Sequence, residues 1–425
     1  MNRPLSTFEK ALWLIDRASS QNFVIVARIS GTLKESILRQ ALDIVQQRHP
    51  PLQCRIKTGD VPEFVTEDVP QIPLRVVKRK HEHHWVEEAE EESIRPLPWT
   101  TGPLVRMVLL QSGDKCDLLA SFFHVIADGL SGINFFHNLL RVAGKLSSGN
   151  TPATESPLPE LPSTLDLLKK DLQYKKDYTE PPHHVNYKPV ELPADRDPST
   201  GREISRLIPK ILSTTTTKKI ITRCKENKVS VHEALCAALM QTVVEHIRES
   251  LEVPEKGPLL IGCITPVNIR HRFKISIGED IGNFISASYH YQLIDDNSSL
   301  WDAARVVKKS LAWELEYGKD VEALLNIKNF FKENSTPEDM ARDMDKVVPP
   351  LTVTNMGRID IPEKYGNLFL EEMHAVSSLY PRKNRFSIIV TTFRGQMTMD
   401  CHYSEPFLSK ERARLIVKKI IKRLK

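Results

Sequence analysis

Apolar positions along the chain fall into two textures, stripes at helical spacing and short runs that suit strands, and the two alternate from end to end. In residues 8–16, Phe8, Leu12, Trp13 and Ile15 mark a helix that Ser6 or Thr7 can cap. Residues 23–29 read as a strand closed by Gly31. A second helix, with Thr32 as its expected cap, carries Leu33, Ile37, Leu38, Ala41, Leu42 and Val45 on one stripe as far as Gln47. It must stop at Pro50 and Pro51, since proline has no N–H to donate and restrains the residue before it. Runs at 52–56 and 72–77 suit strands, and 78–92 is a highly charged helix. A run at 105–110, a turn at Gly113-Asp114 and a run at 117–124 predict a hairpin whose second strand ends on His124. Leu130, Ile133, Phe136, Leu139 and Leu140 then give one face of a helix over 130–142.

Residues 145 to about 200 break the pattern, with Pro152, Pro157, Pro159, Pro162, Pro181, Pro182 and Pro193 among Ser, Thr and charge, and one helical island at 165–178. The alternation then resumes. A strand at 203–208 and a helix at 215–227 precede a longer helix over 231–247, where Ser230 and Glu233 form a capping box. Strands follow at 259–266 and 284–293, the second introduced by Gly282-Asn283, then a helix at 300–317 and a charged stretch. A strand at 351–354 runs into Asn355-Met356-Gly357-Arg358, a hairpin spans 385–403, and a basic helix closes the chain. The expected fold class is α/β (α+β): an N-terminal lobe at 1–150, a Pro-rich crossover at 151–200 and a C-terminal lobe at 201–425.

At 425 residues the chain exceeds one ordinary core, which agrees with two lobes. It has no run of the ~18–20 apolar residues a spanning helix needs, and no signal-peptide core follows Met1-Asn2-Arg3-Pro4, so the expected location is cytoplasmic. Six scattered cysteines without a Cys-x-x-Cys pair read as reduced core residues. A net charge of +5, dispersed over the chain, gives no case for nucleic acid but suits an anionic small ligand. The crowded His81, His83 and His84 lack further ligands at metal spacing and read as a solvated helix face.

The candidate chemistry sits where the hairpin ends. An imidazole with an unperturbed pKa of about 6.5 suits a general base at neutral pH, and acyl transfer needs such a base, oxyanion donors and a channel for two substrates. Asp128, four residues beyond His124, can turn back to orient the ring or can hold an arginine. Gly129 admits a close approach. The competing interpretation is a structural histidine followed by a helix cap. Gly-x-Ser-x-Gly is absent, which favours direct transfer over a covalent intermediate. Arg270 and Arg358, at strand ends, can hold Asp128, substrate or a phosphate, and Asn355 and Gly357 can line a channel or form a plain turn.

The stretch Phe123-His124-Val125-Ile126-Ala127-Asp128-Gly129 resembles the His-x-x-x-Asp-Gly motif of the chloramphenicol acetyltransferase-like superfamily, which includes condensation domains, alcohol acetyltransferases and polyketide-associated acyltransferases. Further landmarks resemble the family in order: Leu5 to Glu9, Arg48-His49-Pro50-Pro51-Leu52, Gly102-Pro103-Leu104, Leu192-Pro193-Ala194-Asp195-Arg196, Gly282-Asn283-Phe284 and Thr354-Asn355-Met356-Gly357. The resemblance implies two similar lobes of mixed sheet flanked by helices, with an active-site tunnel between them. It implies His124 as general base and Asp128 as a mainly structural partner. No bound cofactor is implied; acyl-CoA or a phosphopantetheinyl thioester serves as co-substrate and an alcohol as acceptor, with an acyl-carrier protein as a candidate partner and a monomer as the expected state. Phe123 stands where condensation domains carry a second histidine, and Asp-Phe-Gly-Trp-Gly is missing, so the nearest branch forms esters. An amide-forming condensation protein and a non-catalytic carrier- or lipid-binding relative are the alternatives. The C-terminal helix, with Lys410, Arg414, Lys418 and Lys422 opposite an apolar stripe, is expected to dock on the body; peripheral membrane contact is its other use.

Overall fold

The computed structural model describes residues 1–20, 22–150, 156–171, 187–195, 204–251, 257–295, 297–329, 335–347, 349–379 and 385–425. In the first half lie β1 (Arg3–Pro4), α1 (Thr7–Ala18), β2 (Asn22–Ser30), α2 (Glu35–Arg48), β3 (Arg55–Lys57), β4 (Glu63–Val65), β5 (Leu74–Lys78), α3 (His84–Ile94), β6 (Val105–Ser112), β7 (Lys115–Phe123), α4 (Gly129–Ser147) and α5 (Thr164–Asp171). The second half holds β8 (Ile204–Ile211), α6 (Thr214–Glu226), α7 (Val231–Leu251), β9 (Leu259–Asn268), β10 (Ile285–Ile294), α8 (Leu300–Glu316), α9 (Lys319–Leu325) and α10 (Pro337–Val347). It ends with β11 (Leu351–Arg358), β12 (Lys364–Tyr365), β13 (Leu368–Ser377), β14 (Phe386–Phe393), β15 (Gln396–Glu405) and α11 (Lys410–Leu424).

Local signals account for most of these elements. Ser6 caps α1 in a capping box with Glu9, and Ser230 and Glu233 do the same for α7. Thr32 does not cap α2. Lys34 is the extended N-cap and the Leu33 carbonyl accepts from the Gln111 side chain at 2.8 Å, and the helix starts at Glu35, two residues later. The run at 52–56 is half a 3-10 turn, Pro50–Gln53, with the strand beginning only at Arg55. The charged helix begins only at His84, and Arg79 ahead of it pairs with Asp117 and Glu82. The charged stretch after α8 contains α9 and α10. Half of the expected crossover at 151–200, and the second half of the helical island at 165–178, lie outside the described residues.

Among the described residues the strands form a small sheet, β1-β4-β3, and two six-stranded mixed sheets, β12-β13-β2-β7-β6-β5 and β10-β9-β11-β14-β15-β8. Each large sheet has its own apolar core. The halves of the chain do not map one-to-one onto the sheets. β13, from the second half, pairs antiparallel with β2 from Phe369↔Ser30 to Ser377↔Phe23, so part of the range 201–425 completes the first lobe. The second sheet has a split: β9 and β11 pair only at Leu351↔Cys263 and Thr352↔Ile264, then diverge. Beyond that point Thr354 to Gly357 are only partly buried although β11 is an interior strand.

Candidate active site

His124 follows β7, the strand between β2 and β6 in the first sheet, and begins a tight turn closed by Ile126 N–H donating to the Phe123 carbonyl at 3.0 Å. Phe123 is fully buried and its N–H donates to Leu104 O, so the position before the histidine belongs to the core. The His124 ring is partly buried and lies 4.9 Å, centroid to centroid, from Phe23. From the other lobe, Asn283 donates its side-chain amide to the His124 carbonyl at 2.7 Å and approaches Nδ1 at 3.3 Å. Burial pushes the His124 pKa below the usual histidine value, against the opposing pull of the Asp128 carboxylate and of backbone hydrogen bonds at His124 and Ala127. The imidazole is therefore neutral at pH 7 and able to accept a proton.

Asp128 does not hydrogen-bond to the imidazole. It caps α4 by accepting from Ser131 N–H at 2.9 Å, and its second oxygen accepts from Phe284 N–H at 2.8 Å. Arg270 donates to the first oxygen at 2.8 Å and to Ser131 Oγ at 2.9 Å. Ser131 Oγ in turn donates to Gly282 O at 2.7 Å, and Asp128 N–H donates to the same carbonyl at 3.1 Å. A buried carboxylate with three such donors, one of them a guanidinium, fastens the turn after His124 to segment 282–284 of the other lobe. Of the two roles open to Asp128 in the sequence, holding an arginine is the one observed.

The remaining candidates divide. Gly129 begins α4 under Met356 of β11, where an added Cβ would lie 3.0 Å from the methionine methyl. Asn355 and Gly357 form a bulge in β11, Gly357 N–H donating to Asn355 Oδ1 at 2.9 Å with Gly357 at φ +75°. Arg358 is exposed at the end of that strand. None of these three borders the cavity described next. Asn283 and Ser131 join the site without having been among its sequence candidates. Gly282-Asn283-Phe284 stood out as a landmark, yet nothing local tied Asn283 to a histidine 159 positions earlier.

A cavity of about 410 Å³ lies between the lobes with His124 and Asn283 in its wall. Phe8, Leu12 and Ile15 of α1 line one side and Ile285, Ala287 and Tyr291 of β10 another, so the lining beyond the histidine is overwhelmingly apolar. Its size falls within the ~300–1,000 Å³ typical of small-molecule sites. The basic helix α11 docks through Ala413, Ile416, Val417, Ile420 and Leu424, and its Lys419 and Arg423 pair with Glu245 on α7. Among the described residues no helix is long and apolar enough to cross a membrane.

Residues 9–246 match the family described as condensation domain, and residues 209–402 match the C-terminus of phthiocerol/phthiodiolone dimycocerosyl transferase. The first match covers more than half of the chain, which belongs to the condensation-domain family, with a fold of the chloramphenicol acetyltransferase-like type. A linear gramicidin synthase of Brevibacillus parabrevis is 29% identical over 36% of the chain, a match spanning only 2% of that synthase's length. The probable alcohol acetyltransferase crmB of Aspergillus fumigatus is 25% identical over 50% of the chain and 47% of its own. In three dimensions the TRI3 trichothecene 15-O-acetyltransferase of Fusarium sporotrichioides superposes with a TM-score of 0.71 at 14% identity, over 100% of this chain and 94% of that one.

Proposed function

We propose that the protein transfers an acyl group from a coenzyme A or acyl-carrier-protein thioester to a hydroxyl acceptor, in cytosolic lipid, polyketide or secondary metabolism. The observation that carries this is a neutral imidazole in the wall of an apolar interlobe cavity. Asn283 holds the His124 carbonyl, and with the ring proton on Nδ1, donated to backbone oxygen at His124 and Ala127, Nε2 is the nitrogen left to accept a proton from substrate. Nε2 takes the acceptor's proton as its oxygen attacks the thioester carbonyl; the tetrahedral intermediate collapses, and the leaving thiolate recovers the proton. Asp128 and Arg270 keep the turn in place rather than touching substrate. The cavity wall of α1 and β10 suits an acyl chain, and the split between β9 and β11 is the proposed approach for the second substrate.

The absence of a second histidine at Phe123 and the alcohol acetyltransferase among the relatives favour an ester product. The experiment is thiol release from acyl-CoA donors with mixed alcohols, followed by mass spectrometry of the product. His124→Ala should slow release by about two to four orders of magnitude. An unchanged rate in that variant would sink the mechanism. With alcohol and amine acceptors offered together, predominant amide would overturn the ester assignment alone.

A further inference from the structure

Helix α11 packs against α7, and its cations fall into two groups. On one flank Arg412 pairs with Asp195, Lys419 with Glu245 and Glu249, and Arg423 with Glu245. On the outward side Arg414, Lys418, Lys422 and Lys425 are exposed, and among the described residues none of the four stands in an ion pair. They follow one another at intervals of four, four and three residues, which sets them on one ridge of the helix about 16 Å long. Glu411 is the one acid of the helix, and Leu415 lies among the cations 41% exposed. We infer that this face of α11 rests on a lipid bilayer whose surface is anionic.

The charge pattern is what points outward. Like charges four residues apart weaken a helix, and solvated faces ordinarily mix both signs, so folding and solubility leave this row without a reason. A negative surface supplies one, since each lysine or arginine brought against it strengthens binding about fivefold. The contact is electrostatic rather than inserted. Ala413, Ile416, Val417, Ile420 and Leu424, the apolar stripe of α11, are already buried on the body, which leaves only Leu415 to enter the headgroups. Helix α6 extends the positive field: its Arg223 donates to the Leu424 carbonyl at 3.4 Å, and it exposes Lys218, Lys219 and Lys225 with Glu226 as its one acid. An acidic carrier protein suits the face less well on two counts. It would have to seat beside the cavity to deliver a thioester to His124, and neither α11 nor α6 supplies a residue to that wall. A bilayer imposes no such position. Three of the four cations are also lysines, point charges on flexible stems that suit a fluid array of headgroups, whereas fixed carboxylates are better matched by the arginine fork.

The test is independent of acyl transfer. The full-length protein is sedimented with vesicles of phosphatidylcholine alone and of phosphatidylcholine mixed with phosphatidylserine. Binding should require phosphatidylserine, and it should fall about tenfold or more as salt rises from about 0.1 M to 1 M, which shortens the screening length from about 10 Å to 3 Å. The triple variant Arg414→Gln/Lys418→Gln/Lys422→Gln, at exposed positions, should keep the parent melting temperature and bind about a hundredfold more weakly; Glu411→Gln should bind about fivefold more tightly. A charge-matched control, Lys34→Gln/Lys115→Gln/Lys364→Gln, removes three exposed lysines of the first lobe and should bind as the parent does. The inference is overturned by equal binding to the neutral vesicles, by binding to neither, by equal loss in the two triple variants, or by a holo acyl-carrier protein that takes the face while the vesicles are ignored.

Discussion

Under the proposed function His124 acts as a base because its imidazole is neutral, and that has a sign that can be measured. Its pKa is lowered by burial, so the base form is lost only as pH falls through a value below the ordinary 6.5. The rate at low substrate should be flat from pH 7 upward and decline on the acid side below about 6.5. An acid limb centred above pH 7 would contradict the assignment. Asp128 and Arg270 make a different prediction. Asp128 is almost fully buried and Arg270 nearly so, and removing one partner of a buried pair strands the other; Arg270→Ala should cost about 3 kcal/mol of stability, read in denaturant unfolding, and lower activity with it. Arg270→Lys keeps the charge but loses the second guanidinium nitrogen, which reaches Asn268 Oδ1 at 3.3 Å while the first serves Asp128 and Ser131, and should fall between. His124, Asp128 and Gly129 were legible in the sequence because they lie within six residues, where a strand end, a turn and a helix cap can be read locally. Asn283 was not, because its bond to His124 crosses between lobes.

At the scale of elements, β10 shows what periodicity leaves open. Its alternate residues Ser286, Ser288, His290 and Gln292 are buried, while Ile285, Ala287, Tyr289 and Tyr291 border the cavity, which Ser286 also touches. A strand's period of two separates its faces without saying which one meets the interior. Here the usual assignment is inverted: the polar face is the buried one and the apolar face borders the cavity. The helix opposite, α1, offers the cleanest probe. Ala11 lies in the same wall, and Ala11→Phe should fill part of the cavity. Under the proposed function, kcat/KM should then shift toward shorter acyl donors by about tenfold, with little change for acetyl-CoA. A uniform loss across chain lengths would place the acyl group elsewhere.

Over the whole molecule, the lobes are joined at a buried imidazolium. His374 of β13 stands 2.9 Å from Asp400 of β15 and 3.4 Å from Glu372, and its ring lies 4.1 Å from Trp85; Asp400 also accepts Ala375 N–H at 3.0 Å. Burial by itself would lower the His374 pKa, but the two carboxylates outweigh it and raise it to about 9. A group whose folded pKa lies above its unfolded value of about 6.5 contributes fully below pH 6.5, and the contribution fades as pH rises through 9. About 3 kcal/mol is at stake. The melting temperature should therefore drop between pH 7 and 9.5, and His374→Gln should flatten that dependence while starting from a lower value. The same junction explains why the division of the chain into halves was only partly readable. β13 lies in the second half yet pairs with β2, and no local pattern announces which sheet a strand will join.

From the amino-acid order alone came the helices, their caps, the hairpin that ends at His124 and the alternation that makes two lobes, because capping, apolar spacing and proline act over a few residues. Only the folded chain decided that Asp128 answers Arg270 instead of the imidazole, that Asn283 fixes the histidine's peptide, and that β13 crosses into the first sheet. Each of these is a contact between side chains or strands distant in sequence. Their partners are chosen by how packed surfaces meet, and a one-dimensional pattern holds no record of that.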